Sequence, residues 1–90
     1  MSERDDPLAE LRAQIAANDQ AIVEAVNERL RLVRELWRIK ETHGSERFDP
    51  DREQRLRGEL AAANRGPLSD QGLDALVSEL LTLTKRELDR

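Results

Sequence analysis

Apolar residues recur at spacings of three and four along the first half of the chain: Leu8, Leu11, Ile15, Ile22, Ala25, Val26, Val33, Leu36, Trp37 and Ile39. That period marks one face of an α-helix. Asp6-Pro7 supplies the start, with aspartate as N-cap and proline at the first helical position. No glycine or proline interrupts the run before Gly44, so the pattern predicts a helix of about 36 residues, about 54 Å at 1.5 Å per residue. A loop over residues 42–48 follows, with Gly44 as C-cap. Asp49-Pro50 repeats the start signal and opens a second helix through Leu56 and Leu60 to about Asn64, where Arg65-Gly66-Pro67 breaks it. A third helix starts near Ser69 and carries Leu73, Leu76, Val77, Leu80, Leu81 and Leu88 on one face. No stretch alternates apolar and polar residues, and no Asn-Gly or Asp-Gly pair signals a hairpin. The expected fold is all-α, three helices in a single domain over residues 1–90.

The first helix is too long for the chain that carries it. A compact chain of 90 residues has a radius of gyration of only about 12 Å, so the helix projects beyond it and the remaining residues cannot cover its apolar stripe. Two aromatic residues, Trp37 and Phe48, leave a thin core. Small domains of this kind need disulfides, a metal or oligomerisation. With no cysteine and one histidine, His43, the first two routes are closed. The expectation is an intertwined homodimer whose long helices pack antiparallel.

Composition narrows the function classes. Nineteen acidic against fifteen basic residues give a net charge of −4, which argues against nucleic acid or an anionic membrane as partner. No apolar run approaches the ~18 residues of a membrane span, and the start MSERDDPLAE lacks the apolar segment of a signal peptide. The expected location is the cytoplasm. The basic residues are thirteen arginines and two lysines, and arginine's planar fork suits carboxylates.

The informative charges fall on the apolar stripe. Arg29 and Lys40 are eleven residues apart, three turns plus about 20°, and so share a face about 16 Å apart along the axis. Unpaired buried cations are costly, so both need an anion: a small ligand, or a seam carboxylate of the other chain. Arg12 precedes Arg29 by seventeen residues, about 25 Å, too far to meet it on one small ligand within one chain. In an antiparallel dimer it completes the partner's site; otherwise it pairs at the surface with Asp5, Asp6 or Glu10. Asp49, Arg52 and Glu53 occupy the start of the second helix. The carboxylates there are ordinary caps, whereas an arginine at the positive end is less expected unless an anion sits beside it. No nucleophile–base arrangement and no glycine-rich phosphate loop exist, so an enzyme of this sequence works by positioning and electrostatics.

Four segments in order carry a family likeness: LRAQIAANDQAIVEAVNERL, the lysine of RIKETHG, RFDPDRE, and NRGPL before the last helix. The chain resembles the all-helical chorismate mutases, above all the domains found alone or fused to 3-deoxy-D-arabino-heptulosonate 7-phosphate synthase. The likeness runs from Leu8 to Leu88. It implies a homodimer with two sites, rearranging the dicarboxylate chorismate to prephenate by a pericyclic shift without cofactor, in phenylalanine and tyrosine biosynthesis. It also implies roles. Arg12 reaches across the dimer to one substrate carboxylate and Arg29 pairs with the other. Lys40 donates to the ether oxygen. Glu53 and the backbone near Asp49 hold the ring hydroxyl, and Arg52 adds positive field.

The last helix departs from the family pattern of serine followed four residues later by glutamine. Thr84 stands for the serine, but Leu88 takes the glutamine position, and Lys85 falls where an apolar wall residue is usual. Glu87, one position off, substitutes if the helix rotates or frays, and must then be protonated to donate, which predicts better turnover in acid. The alternative is that Lys85, Arg86, Glu87, Asp89 and Arg90 form a solvated tail. Trp37 reads as core packing. Isochorismate pyruvate lyase, a weakly active subunit serving the heptulosonate-phosphate synthase, and a plain helical dimerisation module remain open as competing functions.

Overall fold

In a computed structural model of the chain, residues 6–44, 46–47 and 49–89 are described. Phe48 of the RFDPDRE segment, Asp5 as a partner for Arg12, and Arg90 of the charged C-terminus lie outside the described residues. Three α-helices account for the regular structure: α1 (Pro7–Thr42), α2 (Pro50–Ala63) and α3 (Asp70–Leu88). The residues group into two compact units, Met1–Leu32 and Val33–Arg90, with the division inside α1.

The three helix starts and the first two helix ends fall on the chemistry the sequence predicts. Asp6 Oδ1 accepts from the Leu8 amide at 2.9 Å, satisfying a donor that has no partner within α1. At the other end the Gly44 amide donates to the Glu41 carbonyl at 3.2 Å, with Gly44 at φ +73°, a conformation cheap only for glycine. Asp49 sits in extended backbone and its Oδ1 accepts from the Arg52 amide at 3.2 Å, with Pro50 opening α2. Asn64 closes α2 and organises the connection, donating from Nδ2 to the Leu68 carbonyl and accepting from the Gly66 amide, at 2.9 and 3.0 Å. Ser69 Oγ accepts from the Gly72 amide at 3.0 Å and caps α3.

The second unit holds the core. Leu73, Val77 and Thr84, all on α3, are buried, and α3 packs against α2, whose Leu56 and Leu60 are half-buried. Leu76 departs from the expected core face and is 48% exposed. It lies one position, about 100°, round the helix from Val77, and so at the edge of the stripe. The α2–α3 contact is fastened by a residue that periodicity does not reveal. Arg57 Nη1 donates to Asp74 Oδ1 at 2.6 Å and to the Asp74 carbonyl at 3.3 Å, while Nη2 donates to Ser78 Oγ at 3.0 Å. Its side chain is only 28% exposed, so these bonds are partly shielded from water. Arg57→Ala is expected to lower the unfolding free energy by about 1–2 kcal/mol, read from the denaturant midpoint at unchanged slope. A shift within error would make the clasp a surface ornament.

No residue of α1 is buried. Leu8, Leu11, Ile15 and Ile22 are each more than half exposed in the single chain. Trp37 is half-buried rather than core, with the Arg47 guanidinium 4.7 Å from its ring centroid. No helix is long and apolar enough to cross a membrane among the described residues.

Candidate active site

The candidate residues sit on all three helices. Arg12 and Arg29 belong to α1 within the first unit. Lys40, Asp49, Arg52, Glu53, Thr84, Glu87 and Leu88 belong to the second. The half-buried positions of α1 are Ala9, Val26, Arg29 and Leu30 in the first unit and Val33, Trp37 and Lys40 in the second. Arg29 lies three residues from Val26 and Lys40 three from Trp37, so each cation shares a helix face with a half-buried apolar residue of its own unit.

Arg12 is exposed and, among the described residues, forms no ion pair. The carboxylates proposed as surface partners are otherwise engaged: Asp6 caps α1, and Glu10 accepts from Gln14 Nε2 at 3.4 Å. Arg29 has interactions of its own and is half-buried. Lys40, in the last turn of α1, points its ammonium at the Arg47 carbonyl, 3.5 Å away. A cation at this end also complements the helix dipole. An ammonium has three donors, so this bond leaves two for a ligand.

The first turn of α2 and the last turns of α3 meet through a pair that the sequence reading did not anticipate. Lys85 Nζ lies 3.8 Å from Glu53 Oε1, with the Glu53 side chain 29% exposed. Lys85 therefore supplies a counter-charge to the carboxylate for which the family likeness implies a contact with the ring hydroxyl. Asp49 is held by its capping bond, and the adjacent Glu53 amide donates to the Asp49 carbonyl at 3.1 Å. Arg52 projects from the same turn and is exposed.

Among the described residues the C-terminal segment is helical, with Lys85, Arg86 and Asp89 exposed to solvent. α3 continues to Leu88, Asp89 caps it by donating its amide to the Lys85 carbonyl at 3.0 Å, and Asp89 Oδ1 accepts from Arg47 Nη1 at 2.9 Å. Glu87 and Leu88 are both half-buried. Thr84 is 6% exposed and its Oγ1 donates to the Leu80 carbonyl at 2.6 Å. That back-bond occupies the hydroxyl's one proton, so toward a ligand Thr84 can only accept unless it rotates.

Arg47 is a further residue that spacing alone does not single out. Its side chain bonds Glu41 and Asp89 and covers Trp37. The hydrogen bonds with Glu41 come first among the causes that hold the guanidinium above its ordinary pKa. By contrast, the groove of about 290 Å3 between α2 and α3 is lined by Gln54, Arg57, Asp70, Leu73, Asp74 and Val77 among others, and contains none of the candidate residues. Among the described residues, no group of three or more His, Cys, Asp or Glu could hold a metal ion.

In the second unit the Lys40 ammonium, the Arg52 guanidinium and the amides at the start of α2 are donors of the kind that stabilise an anion as its charge redistributes. Comparison with known proteins agrees. Two structures of the chorismate mutase from Thermus thermophilus resemble the chain closely. The Form II structure gives a TM-score of 0.88 at 28% identity, covering 94% of this chain and 97% of the other. The Form I structure gives 0.84 at 29% identity, covering 88% and 99%. None of the curated proteins matches. A family model for chorismate mutase type II matches residues 11–87, a span that takes in every candidate residue from Arg12 to Glu87 and stops one short of Leu88. The chain therefore belongs to the chorismate mutase type II family.

Proposed function

We propose that the chain works as a homodimer with two equivalent sites, each rearranging chorismate to prephenate with one cation supplied by the partner subunit. The family match over residues 11–87 carries the reaction, and favours it over pyruvate lyase activity on isochorismate. The exposed apolar stripe of α1, from Leu8 to Ile22, supports the dimer, because a single chain leaves it in water. A cytoplasmic location is part of the same reading.

The chemistry needs no external group. The substrate's ether C–O bond breaks as a C–C bond forms within the same molecule, and no atom is gained or lost. Arg29 and Arg12 of the partner subunit each take a carboxylate, which selects the conformer that brings the two ends together. Glu53 accepts from the ring hydroxyl, and its ion pair with Lys85 orients that carboxylate. Lys40 donates to the ether oxygen, where negative charge grows in the transition state. Arg52 adds positive field at the start of α2, whose amides favour an anion too.

Leu88 brings no donor to the ether oxygen, and of its two polar neighbours in sequence Asp89 is bonded to Arg47, which leaves Glu87 as the substitute. Loss of chorismate absorbance, followed with purified protein between about pH 5 and 8, tests the whole reading. Turnover that rises toward acid pH assigns protonated Glu87 as that donor, and Glu87→Gln then flattens the profile. Leu88→Gln raises kcat about tenfold or more if position 88 faces the oxygen, and leaves it unchanged if 87 does. Absence of turnover at every pH sinks the activity of the isolated chain. The departures at Lys85 and Leu88 leave room for a heptulosonate-phosphate synthase partner that raises the rate. An isolated chain already turning over like an ordinary mutase removes that need.

A further inference from the structure

The loop between α1 and α2 carries one residue whose contacts exceed what a surface arginine needs. Arg47 Nε and Nη2 bond the Glu41 carboxylate in the last turn of α1, the Nε bond at 3.0 Å. Nη1 bonds Asp89 Oδ1 at the C-cap of α3, 2.9 Å away and forty-two residues along the chain. The guanidinium face lies over Trp37 at 4.7 Å from the ring centroid. The same residue's backbone carbonyl accepts from Lys40 Nζ at 3.5 Å. The three side chains it touches are on two helices, and its own main chain touches the candidate catalytic ammonium.

Stability does not account for this convergence. The Arg47, Glu41 and Asp89 side chains are 44%, 55% and 57% exposed, and ion pairs that wet contribute little each. What several bonds on one planar group do supply is a fixed direction, since the fork has five donors in a rigid plane and loses little freedom per bond. Asp89 is one residue past Leu88 and two past Glu87, so anchoring it fixes the helix end that carries both.

We propose that Arg47 is a positioning residue for the mutase reaction, clamping α1, the α1–α2 loop and the end of α3 so that Lys40 and the Glu87/Leu88 turn keep their places around the substrate. The proposal rests on the mutase reading of the site. Through its carbonyl, Arg47 fixes one of the three ammonium protons of Lys40 and aims the other two. Through its side chain it holds the loop that bears that carbonyl. Arg47 itself touches no reacting atom.

The test is a set of purified dimers, Arg47→Ala, Arg47→Lys, Asp89→Asn and Arg47→Ala/Asp89→Asn, with kcat and KM for chorismate and the melting temperature measured on each. A misaimed group acting in the transition state lowers kcat more than binding, so Arg47→Ala is expected to lose about tenfold in kcat with KM within about twofold. Arg47→Lys recovers little, because one ammonium cannot serve two carboxylates and a ring face. Asp89→Asn costs less than Arg47→Ala, and nothing further once Arg47 is gone. Full kcat in Arg47→Ala, beside inactive Lys40→Ala, overturns the clamp and leaves the site reading standing. Unchanged turnover in Lys40→Ala overturns the site reading and the clamp together. A lower melting temperature with kcat per folded dimer kept, or additive losses in the double variant, likewise overturns the clamp.

Discussion

Lys40→Ala is expected to lose about 10²–10³-fold in kcat/KM, with helical content and dimer unchanged. The magnitude follows from the role proposed for the ammonium. As the C–O bond breaks, the ether oxygen gains negative charge that it lacks in the bound substrate, so a donor aimed there stabilises the transition state more than the ground state. The structural cost of removing the side chain is small by comparison. Lys40 is half-buried in the last turn of α1, its one hydrogen bond among the described residues is to the Arg47 carbonyl, and its attraction to the helix end is worth about 0.3–1 kcal/mol. A fold that stays intact cannot hide a loss of two or more decades. Arg29→Ala is expected to lose activity on the same scale but with a larger rise in KM, because a carboxylate is charged in both states and its partner contributes to ordinary binding. Lys40→Ala dimers within tenfold of the parent would remove Lys40 from the chemistry, and unfolded ones would make it a structural cation.

The helices were legible because their ends are written in local chemistry. Asp6-Pro7, Gly44, Asp49-Pro50, Asn64 and Ser69 each solve a hydrogen-bonding problem within a few residues, and each occurs at the helix end it predicts. Contacts between helices leave no such mark. Arg57 finds Asp74 and Ser78, Arg47 finds Asp89, and Lys85 finds Glu53 across seventeen to forty-two residues, and nothing periodic distinguishes these cations from the others in a chain holding thirteen arginines. Leu76 shows the limit of periodicity itself. A stripe drawn at spacings of three and four includes positions at its edge, and packing decides which of them are covered. The candidate site divides in the same way. That Arg29 and Lys40 share the apolar stripe follows from the helix repeat, whereas the roles of Asp49, Glu53 and Thr84 came only with the family likeness. The back-bonded Thr84 hydroxyl and the Lys85–Glu53 pair needed coordinates.

Mixing Arg12→Ala and Arg29→Ala chains is expected to restore activity that neither variant has alone. In a symmetric dimer each homodimer carries the same lesion in both sites. A heterodimer differs if Arg12 serves the opposite site. The site built on the Arg12→Ala chain then keeps its own Arg29 and receives an intact Arg12 from the other subunit, while the remaining site collects both lesions. Random re-association makes about half the dimers mixed, each with one good site of two, so the mixture should reach roughly a quarter of parental activity. That is well above variants reduced by about two decades each. The alternative gives a different number. If Arg12 acts within its own chain, every site in every dimer lacks one arginine, and verified heterodimers show no recovery. The axial separation of about 25 Å between Arg12 and Arg29 on one helix makes the first outcome the expected one, since two side chains of that spacing do not converge on a ligand the size of chorismate. The exposed α1 stripe fits the same geometry: the face that leaves Leu8, Leu11 and Ile15 in water is the one on which Arg12 would be carried to its partner.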